Sequence, residues 1–450
     1  MGSGKRKMGD RNGRASSSCD KTKPSITDLD QEETEDPDPD QADLGVVGSG
    51  DSDEDRAEVD PPVQQVEDLG VIGDESDEGQ GRSAYLVACH WDWSDYFEPY
   101  AVYKVSVATS CPSRVKVKRK RLHRVTRLAT VAGGKTFTSL RSVRNALIVG
   151  VGGNPSGTVI FNTKTRKVIQ GPILNSAKWC PVLTTVGDKV YAMSKTPSWI
   201  SDPDFPPWFE VLDFSNAKVV TADGCSRLEG CSWIELPPPP CFPWKLRPVG
   251  YTMLPVVVVM SYVVVDTYIL VSFNQSWGTY AFDTNSVKWH KVDDERLPFI
   301  GRATPHGSLF LGLSKNNGPI NAYLIDVTTS DKDHAPNLSI TVLPVKYMEH
   351  EVDAGPRFFS LEDGRFCSFS FSLDSCGMTL HPNKLELFPK EAHVNLRTYQ
   401  IENPPSLEVP EEALLPVKPE VAVCNQWEQA FKISCSSHGF SPFAFTLLSI

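Results

Sequence analysis

Residues able to do chemistry are plentiful in this chain, but their spacing builds no catalytic set. Nine histidines stand at 90, 123, 290, 306, 334, 350, 381, 393 and 438, without the spacing of paired metal ligands. Eleven cysteines (19, 89, 111, 180, 225, 231, 241, 367, 376, 424 and 435) include no Cys-x-x-Cys. Cys225, Cys231 and Cys241 cluster and read as buried or loop thiols rather than a zinc site. An odd cysteine count behind an N-terminus with no apolar leader predicts reduced thiols, hence a nuclear or cytoplasmic location or both. No Gly-x-Ser-x-Gly elbow, P-loop or dinucleotide fingerprint occurs. Gly150-Val151-Gly152-Gly153 is glycine-rich, but it joins two strands and opens no helix, so it is not expected to cradle phosphate. The expectation is a protein that is not an enzyme, with no catalytic residue, cofactor or metal ligand assigned.

Charge carries more information. The net charge is -11, yet the first 80 residues hold 23 acidic and eight basic side chains and no aromatic, leaving the remainder mildly basic. Such a composition cannot bury enough apolar surface to offset chain entropy, so residues 1–80 are expected to form a disordered acidic tail. In the remainder, Arg114–Arg127 contains eight Lys or Arg in fourteen residues. Four readings stand for it: a solvated strand face with Val115 and Val117 inward, a nuclear import signal at Lys118, Arg119, Lys120 and Arg121, phosphate contact with nucleic acid, or a salt-screened contact with the tail. No aromatic interleaves the basic residues, so nucleic acid is not an expected partner.

The tail holds a tandem repeat. Asp43-Leu44-Gly45-Val46-Val47-Gly48 recurs as Asp68-Leu69-Gly70-Val71-Ile72-Gly73, and acids around Ser52 and Ser76 follow each copy. It is either a duplicated low-complexity spacer or a pair of strand-adding ligands, in which backbone bonds give affinity and the acids seek a basic rim. On the second reading Leu44, Val46, Val47 and Leu69, Val71, Ile72 resemble SUMO-interacting motifs, and two copies would gain avidity. Ser52, followed by Asp53, Glu54 and Asp55, looks like the target of an acid-directed kinase.

The remainder, 81–450, alternates short apolar strands with turn residues. Its most apolar stretch, Met253–Val265, is shorter than the roughly 20 residues a spanning helix needs and reads as buried strand, so no membrane contact is expected. A recurring unit emerges: an apolar strand, then a second strand ending in Asp or Asn, then a polar turn and sometimes Trp. The clearest copy runs from Tyr268 through Tyr280 and Asp283 to Trp289. Others open near 146, 189, 308 and 365, and Tyr85–Cys89 with Ala101–Val107 adds one more. Trp233 serves the unit opened at 189 after an insertion, and Ala422–Ile450 is free to supply a strand closing the first unit.

Gly152-Gly153, with Tyr280, Asp283, Trp289 and Trp233, resembles the kelch-type β-propeller pattern over about 84–403, and strings such as GTYAFDTNSVKW are similar to uncharacterised plant kelch-like proteins. The resemblance implies an all-β propeller of six or seven blades over 81–450, in which those residues structure the blades. It also implies a non-catalytic protein–protein interaction module or scaffold. Two alternatives stay open: a small-molecule or copper-dependent oxidase with its site on the propeller axis, and a substrate adaptor recruited to a ubiquitin ligase.

Overall fold

The computed structural model describes residues 65–68, 84–90, 100–107, 120–128 and most of 134–449; within that last range the longest undescribed stretches are 197–206, 242–256, 347–356 and 402–420. The tail motif residues Leu44, Val46, Val47, Leu69, Val71 and Ile72, with Ser52, Lys118 and Arg119, lie outside the described residues. Among the described residues no helix occurs and none is long and apolar enough to cross a membrane.

The chain builds a six-bladed β-propeller. After β1 (Gln65–Asp68) come β2 (Ala84–His90), β3 (Tyr100–Val105), β4 (Lys120–Arg121) and β5 (Arg124–Leu128). Blade 2 is β6 (Lys135–Arg141), β7 (Ala146–Gly152), β8 (Gly157–Asn162) and β9 (Val168–Gln170). Blade 3 is β10 (Val182–Val186), β11 (Lys189–Met193), β12 (Phe209–Asp213) and β15 (Trp233–Glu235), with a hairpin of β13 (Lys218–Ala222) and β14 (Cys225–Glu229) inserted before its last strand. Blade 4 is β16 (Val259–Val265), β17 (Tyr268–Phe273), β18 (Thr279–Asp283) and β19 (Lys288–Asp293). Blade 5 is β20 (Phe299–His306), β21 (Leu309–Ser314), β22 (Ile320–Thr329) and β23 (Pro336–Leu343), followed by β24 (Val345–Lys346). Blade 6 is β25 (Arg357–Ser360), β26 (Arg365–Leu373), β29 (Glu391–Ile401) and β30 (Val421–Ser434), with a hairpin of β27 (Met378–His381) and β28 (Lys384–Pro389). Finally β31 (Phe440–Ser449) pairs antiparallel with β2, giving blade 1 the order β31-β2-β3-β5.

Residues 440–449 supply the strand that joins β2, and among the described residues the blade number is six. The inner strands β31, β6, β10, β16, β20 and β25 each touch the next around the axis. Neighbouring β16 and β20 run parallel through Ser261–Gly301 and Tyr262–Arg302, as inner strands of successive meanders must. A closed ring leaves short edges only, which suppresses edge-to-edge association.

Each strand opening predicted from the sequence is the second strand of its blade: β2, β7, β11, β17, β21 and β26. The clearest of these strands are buried on both faces and read as continuous apolar runs, as in ALIVGVG of β7, where every residue is buried, whereas β26, RFCSFSFSL, alternates. Inner strands are half-exposed and read less plainly; β20 is FIGRATPH.

The turn chemistry also holds. Asp283 Oδ1 accepts the Asn285 amide at 2.9 Å, and Oδ2 accepts the Ser286 hydroxyl at 2.6 Å. Asp213 takes Ser215 in the same way, and Asn162 takes the amides of Lys164 and Thr165. Each carboxylate or amide closes the turn after a third strand, freeing the chain to reverse.

Trp233 and Trp289 fill space between blades. Trp233 Nε1 on blade 3 donates to Thr158 Oγ1 on blade 2 at 3.0 Å. Trp289 on blade 4 packs against Phe282 of its own blade and Phe209 of blade 3, and its Nε1 donates to Pro237 O at 2.8 Å. Tyr280 is buried in the same inter-blade cluster. Lys120 and Arg121 are exposed and pair in parallel with Phe431 and Lys432 of β30.

One observation falls inside the segment expected to be tail. Gln65–Asp68 forms a strand, β1, laid antiparallel along β13.

Candidate functional site

In an up-and-down blade, the turn after the second strand and the connection to the next blade leave from the same end. That end of blades 1 to 3 gathers an unusual set of buried polar groups. The set begins at Lys135, the first residue of β6. Its amide donates to the Tyr100 hydroxyl at 2.9 Å, and its Nζ donates to Gly152 O at 2.7 Å and Gly157 O at 2.9 Å. Lys135 is 6% exposed, and burial lowers its ammonium to about 8. Its cation is held by two carbonyls of the β7–β8 turn rather than by a carboxylate.

The glycine pair explains how the next connection approaches so closely. Gly152 and Gly153 have φ of 119° and 93°, in the region that favours glycine. A Cβ at Gly152 would lie 2.7 Å from Lys178 O and 2.9 Å from Gly134 O. The Gly153 amide donates to Lys178 O at 2.9 Å, and the Cys180 amide donates to Gly134 O at 2.8 Å. The connection between β9 and β10 is thereby stitched to blade 2 from both sides.

Beneath that connection lies a buried ion pair. Lys178 Nζ meets Glu210 Oε2, with both side chains fully buried. Lys178 Nζ also donates to Pro207 O at 2.7 Å, and Glu210 Oε1 accepts the Asn175 amide at 2.8 Å. Burial lowers the Lys178 pKa, and the Glu210 charge opposes that shift. Buried charges survive only when paired and hydrogen-bonded, as these are. Glu210 is the second residue of β12, so the pair locks the β9–β10 connection to the frame of blade 3.

The next residue, Trp179, points the other way. It is 66% exposed, and its ring stands over Gly134, where a Cβ would come within 2.7 Å of it. Ile173 on the same connection is 72% exposed. Two thiols adjoin the seam. Burial, with Cys180 nearby, pushes the Cys89 thiol up to about 12, against a contact from the Tyr100 hydroxyl that lowers it. Burial also raises Cys180 and Tyr100. Such thiols stay protonated near neutral pH and are poor nucleophiles. The arrangement therefore fixes backbone and presents an aromatic ring; it pairs no nucleophile with a base.

Among the described residues no group of three His, Cys, Asp or Glu is placed to hold a metal ion. Of the residues singled out in the sequence, Gly152 and Gly153 fall in this seam, and Trp233 reaches its edge at Thr158. Tyr280, Asp283, Trp289, Lys120 and Arg121 lie elsewhere on the ring. Sequence reading missed Lys135, Lys178, Glu210 and Trp179. The available signal was Glu210, a lone acid within the apolar run WFEVL.

No curated protein matches the sequence. Among solved structures, the chain is similar to a Bacteroides uniformis protein described, provisionally, as a 6-phosphogluconolactonase, at 10% identity and a TM-score of 0.37, over 82% of this chain and all of that one. So loose a likeness carries nothing about activity. The family described as a protein of unknown function (DUF1668) matches residues 81–413, which take in the stitched seam and five of the six inner strands. The chain belongs to the DUF1668 family.

Proposed function

We propose that this chain is a non-catalytic protein–protein interaction module that binds partners at the exposed end of blades 1 to 3. The observation that carries the reading is Trp179, an exposed aromatic held on a connection that is locked from below by Lys178 and Glu210. A pre-ordered aromatic binds with little loss of side-chain freedom, and tryptophan is enriched among residues that dominate interfaces. The aromatic–Asp–Trp pattern of Tyr280, Asp283 and Trp289 supports a kelch-type assignment for the blades. The tail copies at 44–47 and 69–72 would add a second, SUMO-like arm, tuned by phosphate at Ser52. A nuclear or cytoplasmic location, or both, suits reduced thiols and the Lys118–Arg121 cluster. Adaptor use in a ubiquitin ligase would be one form of such a module.

The test is affinity capture with the full-length chain against W179A. Loss of a reproducible subset of partners is expected from W179A; identical partner sets would overturn the reading. Stoichiometric copper in the purified protein would favour the oxidase alternative instead.

A further inference from the structure

The hairpin β13–β14 belongs to none of the six blade meanders. It leaves blade 3 after β12 and lies on blade 2, where β14 pairs in parallel with β9 through Ser226–Ile169 and Arg227–Gln170. Ala217, Val219 and Leu228 anchor it in the apolar core shared by blades 2 and 3. Lys218 and Arg227 are exposed. The hairpin is thus an anchored shelf, and β13 becomes the outermost strand of the blade 2 sheet before β1 is added.

An outermost strand offers a row of backbone donors and acceptors to any extended segment that reaches it. Here the taker is Gln65–Asp68, in the register Gln65–Thr221, Val66–Val220, Glu67–Val219 and Asp68–Lys218. Lys218 stands opposite Asp68 on one side and Glu229 on the other, so the register sets a base between two acids. Three features mark β1 as a ligand more than a strand of the ring. It is four residues long. It lies about 150 residues before its partner in the chain. Its composition is that of the aromatic-free acidic segment, unlike the blades.

We propose that the outer edge of β13 is a docking site for extended acidic peptide segments, and that Gln65–Asp68 is its resident, displaceable ligand. The resident is tethered, so its effective concentration is high and an incoming segment must outcompete it. The edge is therefore gated by the chain itself. This proposal is independent of Trp179, which lies on another connection.

The test uses the full-length chain and a fluorescent peptide of residues 61–73. Ladder bonds alternate along an antiparallel strand, so of two adjacent prolines one must remove a donor facing β13. V66P/E67P should therefore expel the resident and bind the peptide at least tenfold more tightly than wild type. Adding K218E should cancel the gain. Hydrogen exchange at 218–222 should be faster in V66P/E67P than in wild type. Equal peptide binding by wild type and variant, no binding by the variant up to millimolar peptide, a gain untouched by K218E, or unchanged exchange would each overturn the proposal. A wild-type dimer that V66P/E67P dissociates would place a second copy's strand at the edge and overturn the intramolecular form. Both prolines lie outside the ring, so the melting temperature of the variant should match wild type and exclude unfolding as the cause.

Discussion

Replacing Lys178 by Met keeps side-chain volume but strands the Glu210 carboxylate in a fully buried site. The carboxylate retains the Asn175 amide and loses the ammonium. Breaking a buried pair from one side costs about 3–5 kcal/mol, because the remaining charge cannot reach water. A propeller of about 370 residues, at about 2.1 cal/mol/K of unfolding entropy each, has roughly 0.8 kcal/mol/K in total. The melting temperature of K178M should then fall by about 4–6 °C. Removing both charges in K178M/E210L should recover most of that loss, since replacing a buried pair with apolar groups is often neutral or better. Thermal melts of wild type, both single variants and the double variant form the cycle that isolates the coupling. A K178M melt within about 1 °C of wild type would refute the lock, as would a double variant less stable than either single.

Three further outcomes follow from the geometry. Burial lowers the folded-state pKa of Lys135 from 10.5 to about 8, so between those values the unfolded chain binds more protons and stability from this group rises with pH. Wild type should therefore gain on K135M by up to about 3 kcal/mol from pH 8 to pH 10.5 in paired denaturant titrations, and a constant difference would count against the buried ammonium. Deleting 440–450 removes the inner strand of blade 1 and should abolish the single cooperative melt; a wild-type melt would mean that β31 does not close the ring. G152A, at φ 119° and against the carbonyls of Lys178 and Gly134, should cost about 1–3 kcal/mol, whereas G187A, with open space around it, should cost less in the same denaturant assay.

How much of this was legible in the sequence depends on how each residue meets water. Where second strands are buried on both faces, as Ala146–Gly152 and Tyr268–Phe273 are, they declare themselves as apolar runs. Inner strands line the axis half-exposed and mix Gly, Arg and Pro, as in β20, so six blades were visible only through their second strands. The Asx turns at Asn162, Asp213 and Asp283 are local and were readable; the shelf of β13 and β14 is not, because its pairing with β9 joins residues more than 50 positions apart. The seam was hidden for a related reason. Lys and Glu default to the surface, and only three-dimensional closure makes Lys178 and Glu210 a buried pair. Glu210 within an apolar strand was the one hint.

The position of β31 also orders events during synthesis. Blades 2 to 6 are each complete from contiguous chain, while blade 1 lacks its axial strand until residue 449 has been made. Until then the growing chain carries five finished blades and one raw strand edge on each side of the gap, at β2 and around the β25–β6 junction. Unpaired edges of this kind are where nascent β proteins aggregate. Synthesis of residues 440–449 thus decides whether the ring seals on itself or joins to a neighbour.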